Sequence, residues 1–251
     1  MNTLIKIGGT LLDSPEVRDR LARQIADAHE AGHELAVVHG GGKQITRFLA
    51  ARGIESRFVN GMRVTTPEIL DAALTVLRIV NRELAQALRS AGAPAVEVFI
   101  DDGTLVEAEQ MDPDLGAVGR VIRCDSKRRS LSELAVVACV AGDRAGNRYN
   151  VNGDQMAVAY AAGMRADRLI FLTDVNGVLD AQGRVIPSLT SGEVATLIAN
   201  GVARGGMRAK LEAAVSALNQ GVRDVRIVPG ALPGALALVL AGEPAGTAIA
   251  V

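Results

Sequence analysis

Short apolar runs alternate along this chain with longer stretches whose apolar residues recur at helical spacing. Residues 3–7, 35–38, 136–140, 169–172 and 224–228 have the length and continuous apolar character of buried strands. Between them lie predicted helices. Residues 15–31 follow a Ser14 cap and stop at Gly32, Gly40 to Gly42 open a helix reaching about Arg52, and residues 153–162, 194–200 and 207–219 complete the set. Thr66-Pro67-Glu68 caps another, whose stripe of Ile69, Leu70, Ala73, Leu74, Leu77 and Val80 needs cover from the core or from a second subunit. Strand and helix in alternation predict an α/β chain, built as crossover units around a mostly parallel sheet.

Two segments depart from that rhythm. Asn60-Gly61, between Arg57-Phe58-Val59 and Met62-Arg63-Val64, is a strong two-residue hairpin signal. Residues 101–130 are polar and interrupted by Gly103, Gly116 and Gly119, and read as short strands and loops over the sheet face. No Pro-, Ser- or charge-rich linker splits the chain and no repeat of fixed period occurs, so any two lobes share a sheet.

Composition narrows the partners. With 251 residues, 49% of them apolar, the chain can bury a large core. A formal net charge of -1, 2% aromatic residues and no tryptophan leave neither basic surface nor stacking platform, which argues against nucleic acid. Cys124 and Cys139 have neither metal-site nor disulfide-framework spacing, and reduced thiols fit a cytoplasmic protein. The longest apolar run, 231–241, is broken by Pro233 and Gly234, and no basic segment leads into an apolar one at the amino terminus. A membrane span or export signal is not expected.

The candidate chemistry is phosphate chemistry. Lys6 precedes Gly8-Gly9, Lys210 follows Gly205-Gly206, and His39-Gly40-Gly41-Gly42 forms a third glycine turn. Glycines at strand ends let backbone amides approach an anion closely, and a lysine ammonium supplies point charge. Neither a P-loop nor a Gly-x-Gly-x-x-Gly fingerprint is present. In Asn150-Val151-Asn152-Gly153-Asp154, the alternate asparagines share a face and can meet one ligand, while Asn152 or Asp154 can equally cap the helix that follows. Asp174-Val175-Asn176-Gly177-Val178 is a turn at a strand's carboxyl end, where open α/β sheets hold ligands. His39 reads as a support for its glycine turn rather than a proton carrier.

Taken in order, Lys6, Gly8-Gly9, His39 to Gly42, Asn60-Gly61-Met62-Arg63-Val64-Thr65, Asn150 to Gln155, Asp174 to Val178 and Gly205 to Lys210 make the chain resemble the amino acid kinase family over essentially its whole length. The resemblance implies a three-layer α/β/α sandwich around a mostly parallel open sheet. Residues 1–167 would bind an acylated amino acid and residues 168–251 ATP, with Mg2+ carried by the nucleotide phosphates and no protein metal site. It implies phosphorylation of the side-chain carboxylate of N-acetyl-L-glutamate, by a cytoplasmic homodimer without arginine feedback. Lys6 and Lys210 match the lysines that stabilise the transition state, and Asp154 the acid that orients them. Gly41, Gly42, Arg63, Asn150 and Asn152 match substrate-binding positions, with Arg63 suited to an α-carboxylate. Gly8 and Gly9 match the phosphate loop. Asp174, Val175, Asn176, Gly177, Val178 and Leu179, together with Val202, Ala203 and Arg204, match stretches lining the nucleotide. A kinase for carrier-bound aminoadipate and a non-catalytic sensor on the same fold are the alternatives.

Overall fold

The computed structural model describes residues 2–99, 105–125 and 133–250. In chain order, β1 (Asn2–Ile7), α1 (Pro15–Glu30), β2 (Glu34–His39) and α2 (Gly42–Ala50) lead into the hairpin β3 (Phe58–Val59) and β4 (Met62–Arg63). Then follow α3 (Pro67–Ser90), β5 (Ala95–Val98), β6 (Val106–Gln110), β7 (Val118–Cys124), β8 (Leu134–Ala138), β9 (Val140–Gly142), β10 (Arg148–Val151) and α4 (Gly153–Gly163). The remainder comprises β11 (Arg168–Thr173), β12 (Ser188–Thr190), α5 (Ser191–Ala199), α6 (Gly205–Asn219), β13 (Asp224–Pro229), α7 (Ala235–Leu240) and β14 (Thr247–Ala250).

An eight-stranded sheet runs in the order β12-β14-β13-β11-β1-β2-β8-β5, parallel except where β13 meets β14. Strand alternation sorts its side chains onto two faces. Ile5, Ile7, Val37, Val136, Ile170 and Val228 pack under α1, α2, α3 and α7, whereas Leu4, Val38, Val137, Phe171 and Ile227 pack under α4 and α6. Helix layers on both faces make the three-layer sandwich that the resemblance implies. From β1 the chain moves to β2 and β8 on one side and to β11 on the other, so β1 and β11 flank a topological switch point. Ligands bind at such points, outside the carboxyl ends of the strands.

Local signals explain the elements that frame this point. Ser14 and Thr66 accept hydrogen bonds from the amides of Val17 and Ile69, each cap followed by a proline in the first turn. Asn60 and Gly61 both have positive φ, 49° and 78°, the conformation a two-residue hairpin turn of this hand requires. The α3 stripe is core, with Ile69, Ala73, Leu74, Leu77 and Val80 buried within the chain.

One expectation is corrected, and several elements lie beyond what periodicity predicts. The predicted strand over 136–140 breaks at Cys139: β8 stays in the main sheet, while β9 leaves to close a small barrel with β6, β7 and β10. The apolar run around 231–241 contains α7, started by Gly234 in the left-handed conformation. Strands β5, β12 and β14 and the barrel strand β10 are too short or too mixed in character for periodicity to reveal. Part of the polar 101–130 stretch, including Arg128 and Arg129, lies outside the described residues.

Candidate active site

Alternation along β1 puts Lys6 on the same face as Leu4, toward α4 and α6. There its Nζ lies 2.7 Å from Asp154 Oδ1. Lys210, in the second turn of α6, places its Nζ 3.2 Å and 3.1 Å from the two oxygens of the same carboxylate. The two lysines therefore converge on one acid. All three side chains are nearly enclosed, at 11%, 11% and 12% exposure. Asn152 holds the acid in place: its Oδ1 accepts from the amides of Asp154 and Gln155, fixing the first turn of α4.

Two ammonium groups against one carboxylate leave a surplus positive charge in a poorly hydrated place. Burial pushes Asp154 upward, but Lys6 and Lys210 outweigh it and hold the carboxyl below its usual value. Lys210 is held below its ordinary value by burial, then by repulsion from Lys6, against the opposing pull of Asp154. Its Nζ also lies 5.1 Å from the centroid of the Phe171 ring, the residue paired in register with Lys6. Because the folded-state pKa of Asp154 is below the unfolded one, its contribution to stability is present above about pH 4 and is lost as pH falls through the folded value. The stability gap between wild type and Asp154→Asn is therefore expected to narrow below about pH 4 in denaturant titrations. A gap that stays constant down to about pH 3 contradicts the assignment.

Two cavities meet at this triad. One, of about 390 Å³, is lined by Lys6, Gly8, Gly9, Asp154, Asp174, Val175, Gly206 and Lys210. The other, of about 230 Å³, is lined by Lys6, Gly41, Gly42, Arg63, Asn150, Asn152 and Asp154. Lys6, Gly9, Gly42 and Asp154 belong to both walls. The glycine loops are packed against each other: a Cβ on Gly9 would sit 3.2 Å from the Gly41 amide, and one on Gly41 would come within 2.6 Å of Leu77 Cδ2. The Gly8 amide is already bonded to the Leu172 carbonyl, so Gly8 serves through close approach rather than as a free donor.

Arg63 is 6% exposed, and its guanidinium donates to the Gly42 carbonyl at 2.9 Å, Thr46 Oγ1 at 2.8 Å and Ser56 Oγ. It also stacks 4.6 Å over the Phe58 ring. Every one of these partners is neutral. Among the described residues no carboxylate pairs with it, and burial lowers its pKa. A buried cation with only neutral acceptors is poised for an anion. Asn150 donates to Thr65 Oγ1 at 3.3 Å, and Thr65 donates to the Arg63 carbonyl at 2.8 Å, which ties β10 to β4. Asn150 and Asn152 do line one cavity, but Asn152 offers only its amide nitrogen there because its oxygen caps α4.

The remaining predicted residues are less clustered. Asp174 and Val175 reach the larger cavity from the end of β11. Val178 and Ala203 are core residues, and the Val178 amide donates to Thr247 Oγ1. Leu179 bridges to Val185 within its own turn, Gly177 has φ 145°, and Val175 and Val202 are partly exposed. Arg204 immediately precedes α6, and its guanidinium folds back onto the Gly201 carbonyl. Sequence reasoning missed Thr46, Ser56 and Phe171; Thr46, one turn beyond Gly42 on α2, carried the best signal. Cys139 lines the smaller cavity as a thiol, donating to the His39 carbonyl and pushed up to about 12 by burial.

A parallel α/β sandwich with two lysines, an acid and glycine loops at its switch point defines a phosphoryl-transfer enzyme. A sequence profile described as the amino acid kinase family matches residues 1–229, and the chain belongs to that family. It is 59% identical to the acetylglutamate kinase of Solibacter usitatus (strain Ellin6076), across 98% of each chain. It is 42% identical to the acetylglutamate kinase of Acidobacterium capsulatum, across 91% of each. Among solved structures, N-acetylglutamate synthase from Neisseria gonorrhoeae, complexed with coenzyme A and N-acetyl-glutamate, superposes with a TM-score of 0.90 at 26% identity. That match covers 100% of this chain and 59% of the synthase.

Proposed function

We propose that the protein transfers the γ-phosphoryl group of ATP to the side-chain carboxylate of N-acetyl-L-glutamate, giving N-acetylglutamyl 5-phosphate, a step of arginine biosynthesis. The observation that carries this reading is a lysine pair held on one carboxylate at the wall between two cavities, one of which is lined by a buried arginine whose partners among the described residues are neutral. The names and coverage of the related kinases support the substrate.

The smaller cavity takes the amino acid, with Arg63 pairing to its α-carboxylate and Asn150 and Asn152 meeting the amide. The side-chain carboxylate, with a pKa of about 4, is ionised at neutral pH and needs no general base. Catalysis is then positioning and charge compensation. Lys6, shared by both cavities, faces the oxygens of the phosphoryl group as it leaves the donor for the acceptor, and Lys210 faces it from the α6 side. Asp154 keeps both ammonium groups in place without competing for the phosphate, since each of its oxygens already accepts from a lysine. The Gly205 and Gly206 amides at the start of α6, which have no acceptor among the described residues, favour the anion further.

Residues 168–251 supply the nucleotide side in this reading and residues 1–167 the acceptor side. The donor set suits a metal brought by the nucleotide: Asp154 is committed to lysines, and Asp174 is the other carboxylate on the larger cavity. Mg2+ there supplies charge neutralisation on the phosphates. The same reading carries a cytoplasmic homodimer, which sedimentation velocity checks.

ADP release, with hydroxylamine trapping of the acyl phosphate, is expected with N-acetylglutamate and much weaker with free glutamate, N-succinylglutamate or aminoadipate. A sensor would bind ATP and release no ADP, which would overturn the proposal. Arg63→Ala is expected to raise KM for the amino acid roughly 10- to 100-fold with a smaller change in kcat, because the contact is made equally in ground and transition states. An unchanged KM removes Arg63 from the carboxylate site.

A further inference from the structure

Helix α3 carries one polar side chain, Asn81, in the face that also bears Ala73, Leu77, Leu84 and Leu88, all buried. Asn81 is 1% exposed, and its Nδ2 lies 2.9 Å from the Val136 carbonyl oxygen and 2.9 Å from His39 Nε2. An amide nitrogen has two hydrogens and no acceptor capacity, so both contacts are donations. Turning the amide over would set Oδ1 against the Val136 carbonyl, acceptor facing acceptor. Nε2 of His39 therefore accepts, and the hydrogen of a neutral ring sits on Nδ1. Nδ1 lies 3.0 Å from the Gly40 carbonyl oxygen and donates to it. Complete burial, which lowers His39 to about 4 against a weaker opposing effect of the Gly40 bond, agrees with a neutral imidazole.

The Gly40–Gly41 peptide is planar and trans, so its carbonyl and its N–H point in opposite directions. Tying the carbonyl to His39 turns the Gly41 N–H away from the core. That N–H has no partner among the described residues, and Gly41 lines the cavity that Lys6 and Arg63 share. Leu77, one turn before Asn81 on α3, presses on Gly41 from the same helix. Among the described residues the buried Asn81 Oδ1 has no hydrogen-bond partner, a liability that a leucine here would not carry.

We propose that Asn81 and His39 are positioning residues: a directed relay from α3 through Asn81, His39 and the Gly40 carbonyl fixes the Gly40–Gly41 peptide so that the Gly41 N–H meets the phosphoryl group in transit. The use of that N–H rests on the kinase reading; the relay itself does not. Nitrogen-15 NMR of the wild-type protein at neutral pH tests the relay without any substrate, and the chain has only three histidines to assign. His39 is expected as the Nδ1–H tautomer; an Nε2–H tautomer or an imidazolium overturns the relay. Asn81→Leu is expected to disturb that tautomer and lower kcat about 10-fold, with KM for both substrates within about twofold. His39→Asn, which keeps a donor near the Nδ1 position, is expected to retain about 10-fold more kcat than His39→Leu. Wild-type kcat in Asn81→Leu, a loss carried only by KM, or equal loss in both His39 variants contradicts the positioning role. Should Asn81→Leu fail to fold, the wild-type tautomer and the His39 pair still decide. Failure of wild-type ADP release with N-acetylglutamate would instead strike the kinase reading and leave the tautomer result standing.

Discussion

Lys210→Ala is expected to lower kcat by roughly 10²- to 10³-fold, with little change in KM for either substrate, since it removes a preorganised charge that matters most where charge moves. Its ammonium lines the larger cavity, held by Asp154 and by the Phe171 ring, so the protein meets the organising cost before the substrates arrive. Lys6→Ala should behave alike, because both ammonium groups share one carboxylate. The pair is not additive: with one gone, the other has the carboxylate to itself, and the double variant should fall short of the product of the two losses. Steady-state kinetics on the three variants checks this. Turnover within about threefold of wild type in either single variant rejects the phosphoryl-clamp role.

Asp154→Ala is expected to cost about 3–5 kcal/mol of stability as well as activity, since removing one partner leaves buried charges uncompensated. Lys6 and Lys210 would face each other with no anion between them. ATP or inorganic phosphate can occupy that gap, so either should raise the melting temperature of the variant more than that of wild type. Thermal unfolding with and without phosphate measures the difference. Equal shifts in both proteins, or a destabilisation below about 1 kcal/mol, would mean that Asp154 is not the counter-ion that joins the lysines.

Much of the fold was legible because its signals are local. The caps at Ser14 and Thr66, the Asn60-Gly61 turn and the strand runs that became β1, β2, β11 and β13 depend on neighbours within a few residues. Cys139 was not legible as a break, since an apolar run gives no hint that half of it leaves for a barrel. Nor was α7, whose start depends on Gly234 rather than on a polar cap. For the site, glycine pairs marked Lys6 and Lys210, but their meeting on Asp154 depends on the order of strands and on which face of β1 turns toward α4 and α6. The partners of Arg63 come from α2 and the loop before β3, beyond any local motif. Asn81 did leave a trace in the sequence. It stands four residues after Leu77 in an apolar stripe, where a polar residue at full burial demands a reason.

The kinase account stands on two ammonium groups acting on the same phosphoryl group. A crystal structure with ADP, N-acetylglutamate and tetrafluoroaluminate, a planar mimic of the group in transit, tests this most directly. Lys6 Nζ and Lys210 Nζ are both expected within about 3.2 Å of its fluorides or of the oxygens flanking it. A mimic bound with either lysine turned away, or bound outside the wall between the two cavities, would contradict it.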